Sequence, residues 1–432
     1  MTIATSLWQA SNRETLPLRR LEADLSADLV VIGGGFTGCA AALQAVESGA
    51  SVVLLEAERV GFGGSGRNVG LVNAGLWLPP DTVIAQMGET AGRRLIEALG
   101  AGPAAVFQRV ETYGIDCEAT RNGTLHLAHA PAGLADLESR FRQGNRFGAP
   151  LQLLSPEETR ARTGSAAFYG ALLDPRAGTI QPRAYCTGLA RAAAERGAVI
   201  CQETPVKSLA HAGGIWSVRT AAGPVVRAPR LLLATNAYHA GITGGYAPQF
   251  VPVNYCQFAT APMSAAERAR VLPGGEGCWD TALVMSSVRV DQAGRLIVGG
   301  MGDGAGPGGR IHAGWAARKL RSLYPELAHL RFEHQWSGRI AMTGDHVPKV
   351  VDFGPSAYAC FGYSGRGISP GTVVGSAAAS ALLTGNREAL PLPVVGDHRE
   401  RLTAAKGAYY EFGATLTHAA GPYGVARGPG GA

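Results

Sequence analysis

The sequence contains little lysine, and its cysteines follow no pattern that would hold a metal or a disulfide framework. Lysine occurs only at positions 207, 319, 349 and 406, so arginine carries nearly all of the positive charge. The seven cysteines are spread singly, with no CxxC pair and no zinc-ligand spacing. These patterns argue against a zinc module and a disulfide-stapled secreted domain, and we expect reduced thiols, no metal and a cytoplasmic protein.

Dense basic runs and apolar segments suited to a membrane are also lacking. The net charge is +6, but the basic residues are not interleaved with aromatic ones, so no nucleic-acid partner is expected. The first 27 residues carry several charges and no apolar signal core. Two uncharged stretches, 29–46 and 367–386, are dense in small residues, which favours buried elements at a cofactor over membrane spans.

A dinucleotide-binding motif stands near the amino terminus. Residues 28–38 read DLVVIGGGFTG, so Gly33, Gly35 and Gly38 complete GxGxxG directly after an apolar strand. The first glycine permits a tight turn, the second lets the backbone approach a pyrophosphate, and the third lets a helix pack closely. A second strand ends at Glu56, 23 residues after Gly33, where a carboxylate can accept from ribose hydroxyls. Strand, helix and acid at this spacing predict an adenine dinucleotide site.

The length of 432 residues suggests two domains or one large domain with an insertion. A glycine-rich loop, VGFGGSGRNVG at 60–70, replaces a third Rossmann strand. A capping box predicts a helix after Ser155, and Gly197 and Gly385 are predicted to end helices over 183–196 and 371–383. Helical periodicity also covers 82–118. Predicted strands cover 123–128, 199–209, 216–220, 225–234, 252–263, a hairpin of 283–290 with 295–300, and 358–361.

Several blocks, taken in order, resemble the flavoprotein family of glycine oxidase, sarcosine oxidase and D-amino-acid oxidase, and in particular its gamma-glutamylputrescine oxidase-like branch. Beside the dinucleotide motif, these blocks are GSGRN at 64–68, ATNAY at 234–238, WSGR at 336–339 and GYSGRG at 362–367. The likeness extends over roughly residues 20–400. The GSGRN loop and the GYSGRG turn are more specific than GxGxxG, which many folds share.

The resemblance implies an α/β protein with a Rossmann-like FAD-binding domain of the glutathione-reductase type. An α+β substrate domain built on an antiparallel sheet is inserted into it. The FAD-binding domain is predicted to comprise 1–85, 150–245 and 330–418, and the substrate domain 86–149 and 246–329. Residues 419–432, rich in glycine, are predicted to be a disordered tail.

The same resemblance implies non-covalent FAD. Relatives that tether the flavin use a cysteine near the Trp-x-Gly block, and no cysteine lies between Trp336 and Pro348. The residues expected to contact FAD are Gly33, Gly35, Phe36, Thr37, Gly38, Glu56, Ala57, Gly64, Ser65, Arg67, Asn68, Gly70, Val206, Thr235, Asn236, Gly338, Gly362, Gly365, Arg366, Gly367 and Ile368.

The implied activity is the oxidation of a carbon–nitrogen bond in an amine or an amino-acid-derived substrate. Hydride passes to flavin N5, the resulting imine hydrolyses, and electrons leave to O2 or another acceptor. Arg67, Arg366 and Arg339 are the catalytic candidates, since each lies in a family block. An arginine that only packs or faces solvent remains the alternative for Arg67 and Arg366.

Two departures from the family concern the substrate carboxylate. Sarcosine oxidases anchor it with a lysine where this chain has Ser369, and glycine oxidases with an arginine where it has Ile340. The hypothesis is an amine whose carboxylate is absent or remote, because a carboxylate usually requires a guanidinium or an ammonium group. Arg289, Arg339 or Arg366 remain as substitute clamps, and His346 as a candidate base.

Three alternatives stay open. One is an FAD monooxygenase that uses NAD(P)H, since it shares the nucleotide motif. Another is an oxidase or dehydrogenase of a cyclic or N-substituted amino acid such as pipecolate or sarcosine. The third is a flavin-bound subunit that acts through a partner.

Overall fold

Short apolar runs form the centre of the main sheet. Leu29–Ile32 and Val52–Leu55 pair in parallel, and every residue in both runs is buried. Burial on both faces is typical of a parallel strand with layers above and below it. The computed structural model describes residues 6–420 of the chain.

The strands of the described chain are β1 (Leu25–Ser26), β2 (Leu29–Ile32), β3 (Val52–Leu55), β4 (Leu71–Val72), β5 (Thr124–Leu127), β6 (Gln152–Leu154), β7 (Ala171–Asp174), β8 (Gly178–Thr179), β9 (Val199–Cys201), β10 (Val206–Ala212), β11 (Ile215–Thr220), β12 (Val225–Ala228), β13 (Leu231–Leu233), β14 (Val251–Pro262), β15 (Gly277–Asp280), β16 (Ser286–Val290), β17 (Arg295–Met301), β18 (Phe332–Met342), β19 (Lys349–Gly354), β20 (Ala357–Phe361) and β21 (Val394–Val395).

The α-helices are α1 (Leu7–Ala10), α2 (Phe36–Glu47), α3 (Pro80–Met87), α4 (Glu89–Gly100), α5 (Gly102–Thr112), α6 (Pro131–Arg146), α7 (Pro156–Thr163), α8 (Pro182–Glu195), α9 (Ala265–Arg268), α10 (Gly309–Leu323), α11 (Ile368–Thr384) and α12 (Thr403–Ala420). In the part of the chain that the structure describes, no helix is both long enough and apolar enough to cross a membrane.

The main sheet has seven strands in the order β21-β19-β20-β13-β2-β3-β9. All neighbours are parallel except β19 and β20. Leu29 and Val31 face a core with helices α2, α8 and α11, whereas Val30 and Ile32 face a four-stranded sheet of order β1-β12-β11-β10. This layering confirms the predicted α/β fold and leaves the carboxyl ends of β2, β3 and β13 free to form a ligand crevice.

A second sheet has eight strands in the order β18-β14-β17-β16-β15-β5-β7-β6. Its pairs are antiparallel except for β15 with β5. Helix α10 packs on it through Ala316 and Leu320. The sheet is therefore mainly antiparallel, as predicted for the substrate domain, and it differs from the prediction by one parallel pair.

The sheets do not follow the predicted domain boundaries at every strand. Strands β6, β7 and β18 pair in the eight-stranded sheet, although 150–245 and 330–418 were assigned to the FAD-binding domain. Predicted strands 199–209 and 225–234 each divide between the seven-stranded and four-stranded sheets. Pro205 and Pro229 lie at the two breaks, and a proline has no N–H to continue a ladder.

The capping box at Ser155 is formed, and the region 82–118 contains three separate helices, α3, α4 and α5. Helix α11 begins at Ile368, three residues before the predicted start at Gly371. Helix α12 was not predicted, and it occupies the first two residues of the expected disordered tail. The remainder of that tail, 421–432, lies outside the described residues.

Candidate active site

The turn after β2 is built from glycines that leave no room for a side chain. The N–H of Gly33 donates to the carbonyl of Leu55 at 2.9 Å, and Gly33 adopts φ +109°. A Cβ on Gly38 would collide with the carbonyl oxygen of Gly33. Helix α2 therefore begins directly against the turn, as the GxGxxG spacing predicts.

The N-cap residue of α2 has no side chain that could cap the helix. Gly35 occupies the N-cap position, and the N–H of Phe36 donates to Ser65 Oγ at 3.0 Å. A Cβ on Gly35 would lie 2.9 Å from the same oxygen. Free N–H groups at the positive end of a helix favour an anion, so the turn fits the pyrophosphate of a dinucleotide.

Glu56 closes the dinucleotide turn from the end of β3. Its Oε2 accepts from the N–H of Gly34 at 2.6 Å, and its Oε1 accepts from the N–H of Glu58 at 3.0 Å. Burial raises the pKa of Glu56, while these backbone donors oppose that rise. An ionised carboxylate has lone pairs beyond those two bonds, which suits ribose hydroxyls.

A cavity of about 760 Å³ runs from this turn to the amino terminus of α11. Its volume lies within the range of small-molecule and cofactor sites. The predicted FAD-contact residues that line it are Gly33, Gly35, Phe36, Thr37, Glu56, Ala57, Gly64, Ser65, Asn68, Val206, Thr235, Asn236, Gly365, Arg366, Gly367 and Ile368. The wall therefore gathers segments from the beginning, middle and end of the chain around one space.

Five predicted FAD-contact residues are not part of the wall, namely Gly38, Arg67, Gly70, Gly338 and Gly362. Arg67 is also a predicted catalytic residue, and that role stays a prediction. Its Nε donates to the carbonyl of Phe62 at 2.8 Å and its Nη1 to the carbonyl of Ser337 at 3.1 Å. Arg67 thus ties the glycine-rich loop to β18.

The side chain of Asn68 holds the glycine-rich loop 60–70 together through hydrogen bonds to its backbone. Its Nδ2 donates to the carbonyls of Gly64 and Ser65 at 2.9 and 3.1 Å, and its Oδ1 accepts from the N–H of Gly70 at 2.8 Å. Gly70 has φ +85°, and a Cβ there would collide with the carbonyl of Ile180. This glycine is required by the backbone turn, not by contact with the cavity.

The turn before α11 is tied to the other two cavity segments. Tyr363 Oη lies 2.7 Å from Thr37 Oγ1, and the N–H of Gly362 donates to Asn236 Oδ1 at 3.0 Å. Gly367 is the N-cap of α11 and makes no side-chain cap. The uncapped helix end lies in the cavity wall, where its partial positive charge would stabilise negative charge on a bound group.

Arg366 lies in the wall between two tryptophans. Its guanidinium carbon is 4.8 Å from the ring centroid of Trp77 and 5.0 Å from that of Trp279, and its Nη1 donates to the carbonyl of Ala74 at 3.1 Å. Its Nε is buried without an acceptor. Burial and, to a smaller extent, the charge of Arg140 lower the pKa of Arg366 to about 9.

The other two candidate clamps differ in position. Arg339 is exposed at the cavity, with its guanidinium 5.3 Å from the ring of Tyr238. Arg289 is fully buried and donates to the carbonyls of Val69, Gly70 and Ile180. Burial lowers the pKa of Arg289 to about 10, and the residue does not line the cavity. Arg289 is therefore an internal brace, and the idea that it clamps substrate is corrected.

Sequence reasoning missed the aromatic and polar residues of the wall. Trp77 and Trp279 come from separate segments, and their ring centroids are 6.4 Å apart in an edge-to-face pair. Tyr255 and Gln257 are two residues apart on β14, and each has a buried oxygen without a hydrogen-bond partner. The two-residue period of a strand was a signal for the second pair. No local signal connected the tryptophans.

The residues at the two family anchor positions line the cavity without bringing a charge to it. Ser369 is buried with an unpartnered Oγ, and Ile340 contributes an apolar surface. His346 also lines the wall and has φ +57°. All seven cysteines are buried free thiols, and none lines the cavity.

Comparisons with known proteins agree with this architecture. The family model described as FAD dependent oxidoreductase (DAO) matches residues 28–381. The probable oxidoreductase OrdL of Haemophilus influenzae is 31% identical over 85% of this chain and 84% of its own length. Gamma-glutamylputrescine oxidoreductase of Escherichia coli is 29% identical over 94% of this chain and 97% of its own length. The crystal structure of glycine oxidase from Geobacillus kaustophilus has the same fold, with a TM-score of 0.71, 19% identity, and coverage of 85% and 96%.

Proposed function

The chain belongs to the DAO family of FAD-dependent oxidoreductases, and we propose that it oxidises a carbon–nitrogen bond of an amine or amino-acid-derived substrate. FAD would supply the hydride acceptor, at N5, for the hydrogen on the carbon beside the nitrogen, and water would hydrolyse the resulting imine to a carbonyl compound and ammonia, or an amine where the nitrogen is substituted. Electrons pass from the cofactor to O2 or another acceptor.

The observation that carries this proposal is the single cavity between the dinucleotide turn and the amino terminus of α11. Gly33–Phe36 would hold the pyrophosphate and Glu56 the ribose, because the first offers N–H donors and the second a carboxylate. The uncapped end of α11, at Gly367 and Ile368, would face the redox-active ring system. The other cavity-lining elements then enclose the substrate.

The residues of the cavity wall favour, as substrate, an amine whose carboxylate is remote or absent over a simple α-amino acid. Ser369 and Ile340 line the cavity where the resemblance places cationic anchors, and neither can bind a carboxylate through charge. The E. coli relative is named for gamma-glutamylputrescine, an amine. Arg366 and Arg339 remain the cations of the cavity wall that can orient such a substrate, beside Arg140.

The test is a steady-state comparison with purified holoprotein. Mono-acylated diamines and putrescine are compared with glycine, sarcosine, proline and pipecolate, with carbonyl product measured in the presence of O2 or a dye acceptor. We expect higher kcat/KM for the diamine group. A clear preference for an α-amino acid would overturn the substrate class. NADPH consumption without amine turnover would favour the monooxygenase, and tight FAD without any turnover would favour a flavin-bound subunit.

A further inference from the structure

A second cavity of about 320 Å³ adjoins the first behind the two tryptophans. The residues that line both cavities are Asn73, Leu78, Arg140, Trp279 and Arg366. The helices α3 and α4 contribute apolar side chains to the second cavity, among them Val83 and Leu95. The two spaces are therefore separated by a thin wall in which a guanidinium group is a principal polar component.

The arginines of the second cavity differ in how their charge is balanced. Arg176 forms a two-bond ion pair with Asp174, at 2.9 and 2.7 Å, and Arg140 is paired with Asp136 at 2.7 Å. Arg366 makes no ion pair with any carboxylate in residues 6–420. Glu97 also lines the cavity. Arg366 is therefore a partly buried cation without a paired carboxylate, and Asp174, which already pairs with Arg176, offsets its charge only in part. Such a charge is costly unless a ligand supplies a further anion.

The surroundings hold Arg366 in place without neutralising it. The guanidinium carbon of Arg366 lies over the rings of both Trp77 and Trp279, in cation–π contact, and a Cβ on Gly365 would lie 3.0 Å from Trp77 Nε1. His126 stacks on Trp279 at 4.9 Å, and burial lowers the pKa of His126 well below its usual value, so this ring is neutral. A guanidinium group held between two aromatic rings is pre-organised to bind a planar anion, because little side-chain freedom is lost on binding.

We propose that Arg366 binds a carboxylate on the substrate and that the second cavity receives the part of the substrate that carries it. The inference rests on the proposed function and narrows it to amines whose carboxylate is several bonds from the oxidised carbon. Among the described residues, Arg366 donates only through Nη1, to the carbonyl of Ala74, so donors remain for the carboxylate. Arg140 adds a second positive charge at the junction of the cavities.

The first test uses the unmodified holoprotein and matched substrates. Straight-chain primary amines that end in a carboxylate are compared with the same chains ending in a carboxamide. We expect kcat/KM to be at least about tenfold higher for the carboxylates of the best chain length, since a charge-assisted pair is lost in the amide. Oxidation of both series at equal efficiency would overturn the subsite and leave the proposed function standing. Oxidation of no amine would instead remove the proposed function.

Binding without turnover gives an independent readout. Aliphatic carboxylates that lack an amine are titrated against the bound flavin, and the change in its visible spectrum gives a dissociation constant. We expect these acids to bind and their amides to bind about tenfold more weakly or worse. Equal binding of acids and amides would contradict the subsite whether or not amines are turned over.

The second test changes the cation. In Arg366→Gln we expect KM for the carboxylate substrate to rise about 10- to 100-fold and the ratio of kcat/KM for the carboxylate to that for the amide to fall towards one. Arg366→Lys retains charge but loses the planar fork, so its KM should fall between the two. Arg196→Gln is the matched control, because Arg196 stacks on Tyr113 at 4.6 Å and donates to one carbonyl outside both cavities. Equal losses for acid and amide, or weakened FAD binding as the main effect, would contradict the assignment.

Discussion

Thr37 Oγ1 and the hydroxyl of Tyr363 lie 2.7 Å apart although 326 residues separate them in the chain. Thr37 is in the first turn of α2, and Tyr363 precedes α11. The carbonyl of Thr37 is so close to Gly375 that any Cβ there would collide with it. The two helices that begin at the cavity are therefore held together at their amino ends, and the cavity is closed by the first and last parts of one domain.

The first prediction concerns this hydrogen bond. Tyr363→Phe leaves Thr37 Oγ1 buried without this partner, so we expect the free energy of unfolding to fall by about 1 kcal/mol. FAD affinity should fall as well, because the bond aligns both helix ends. Tyr246→Phe removes a hydroxyl that donates to the carbonyl of His398 at 3.2 Å, and it serves as the control. Thermal unfolding and FAD titration check this, and equal FAD affinity in both variants would count against it.

The second prediction concerns the dinucleotide turn. Gly38→Ala places a methyl group against the carbonyl of Gly33, which must shift the turn or the helix. We expect loss of bound FAD from purified protein. Gly413→Ala in α12 meets no atom within 4 Å and should slightly stabilise the protein, since alanine favours a helix by about 1 kcal/mol over glycine. Full flavin occupancy in the Gly38 variant would refute the close-packing argument.

The third prediction is that FAD is bound without a covalent link. The seven cysteines are buried, and none reaches the cavity wall. Acid precipitation should therefore release the flavin into the supernatant, where its absorbance is measured. Yellow colour that remains with the precipitated protein would show that another side chain tethers it.

The fourth prediction is a loss of stability at mildly acidic pH through His418. This ring is fully buried, its Nδ1 lies 2.8 Å from that of His312, and it stacks on Trp315 at 3.9 Å. Burial and, to a smaller extent, His312, Arg318 and Lys319 lower its pKa to about 3. In the unfolded chain the pKa is about 6.5, so below that pH the unfolded state binds the extra proton and is favoured.

The expected size of this effect is about 2 kcal/mol at pH 5 relative to pH 7.5. His418→Gln cannot take up that proton, so its unfolding free energy should decline less over the same range. Glu411, which lies 3.5 Å from His312 Nε2, and buried His126 are present in both proteins. Parallel pH profiles for the two proteins would rule out His418 as the source.

Features determined by neighbouring residues were predictable from the sequence. The turn at Gly33, the acid at Glu56 and the capping box at Ser155 each depend on spacing within a short segment. The bond from Arg67 to Ser337 was not predictable, because Ser337 lies on β18, 270 residues later. The pairing of β18 with β14 was not predictable for the same reason, since the two strands are distant in the chain.

In the candidate site, too, the features set by neighbouring residues were predictable and those set by distant residues were not. Its nucleotide end is one contiguous segment, whereas the Arg366 wall joins Trp77, Trp279 and the turn before α11. Nothing in the spacing of these residues indicates that they meet. Helix α12 was also not predicted from the sequence. Its buried face depends on the contact of His418 with His312 of α10, which lies far away in the chain.

The most direct test of the account is anaerobic reduction of the bound flavin. Holoprotein is mixed without oxygen with each amine and amino acid of the panel, and separately with NADPH, while the visible absorbance of the oxidised flavin is followed. We expect an amine to bleach it and NADPH to leave it unchanged, because the cofactor carries the redox step. Recolouring on admission of air would then be rapid for an oxidase and slow for a dehydrogenase. Bleaching by NADPH and by no amine would contradict the central claim.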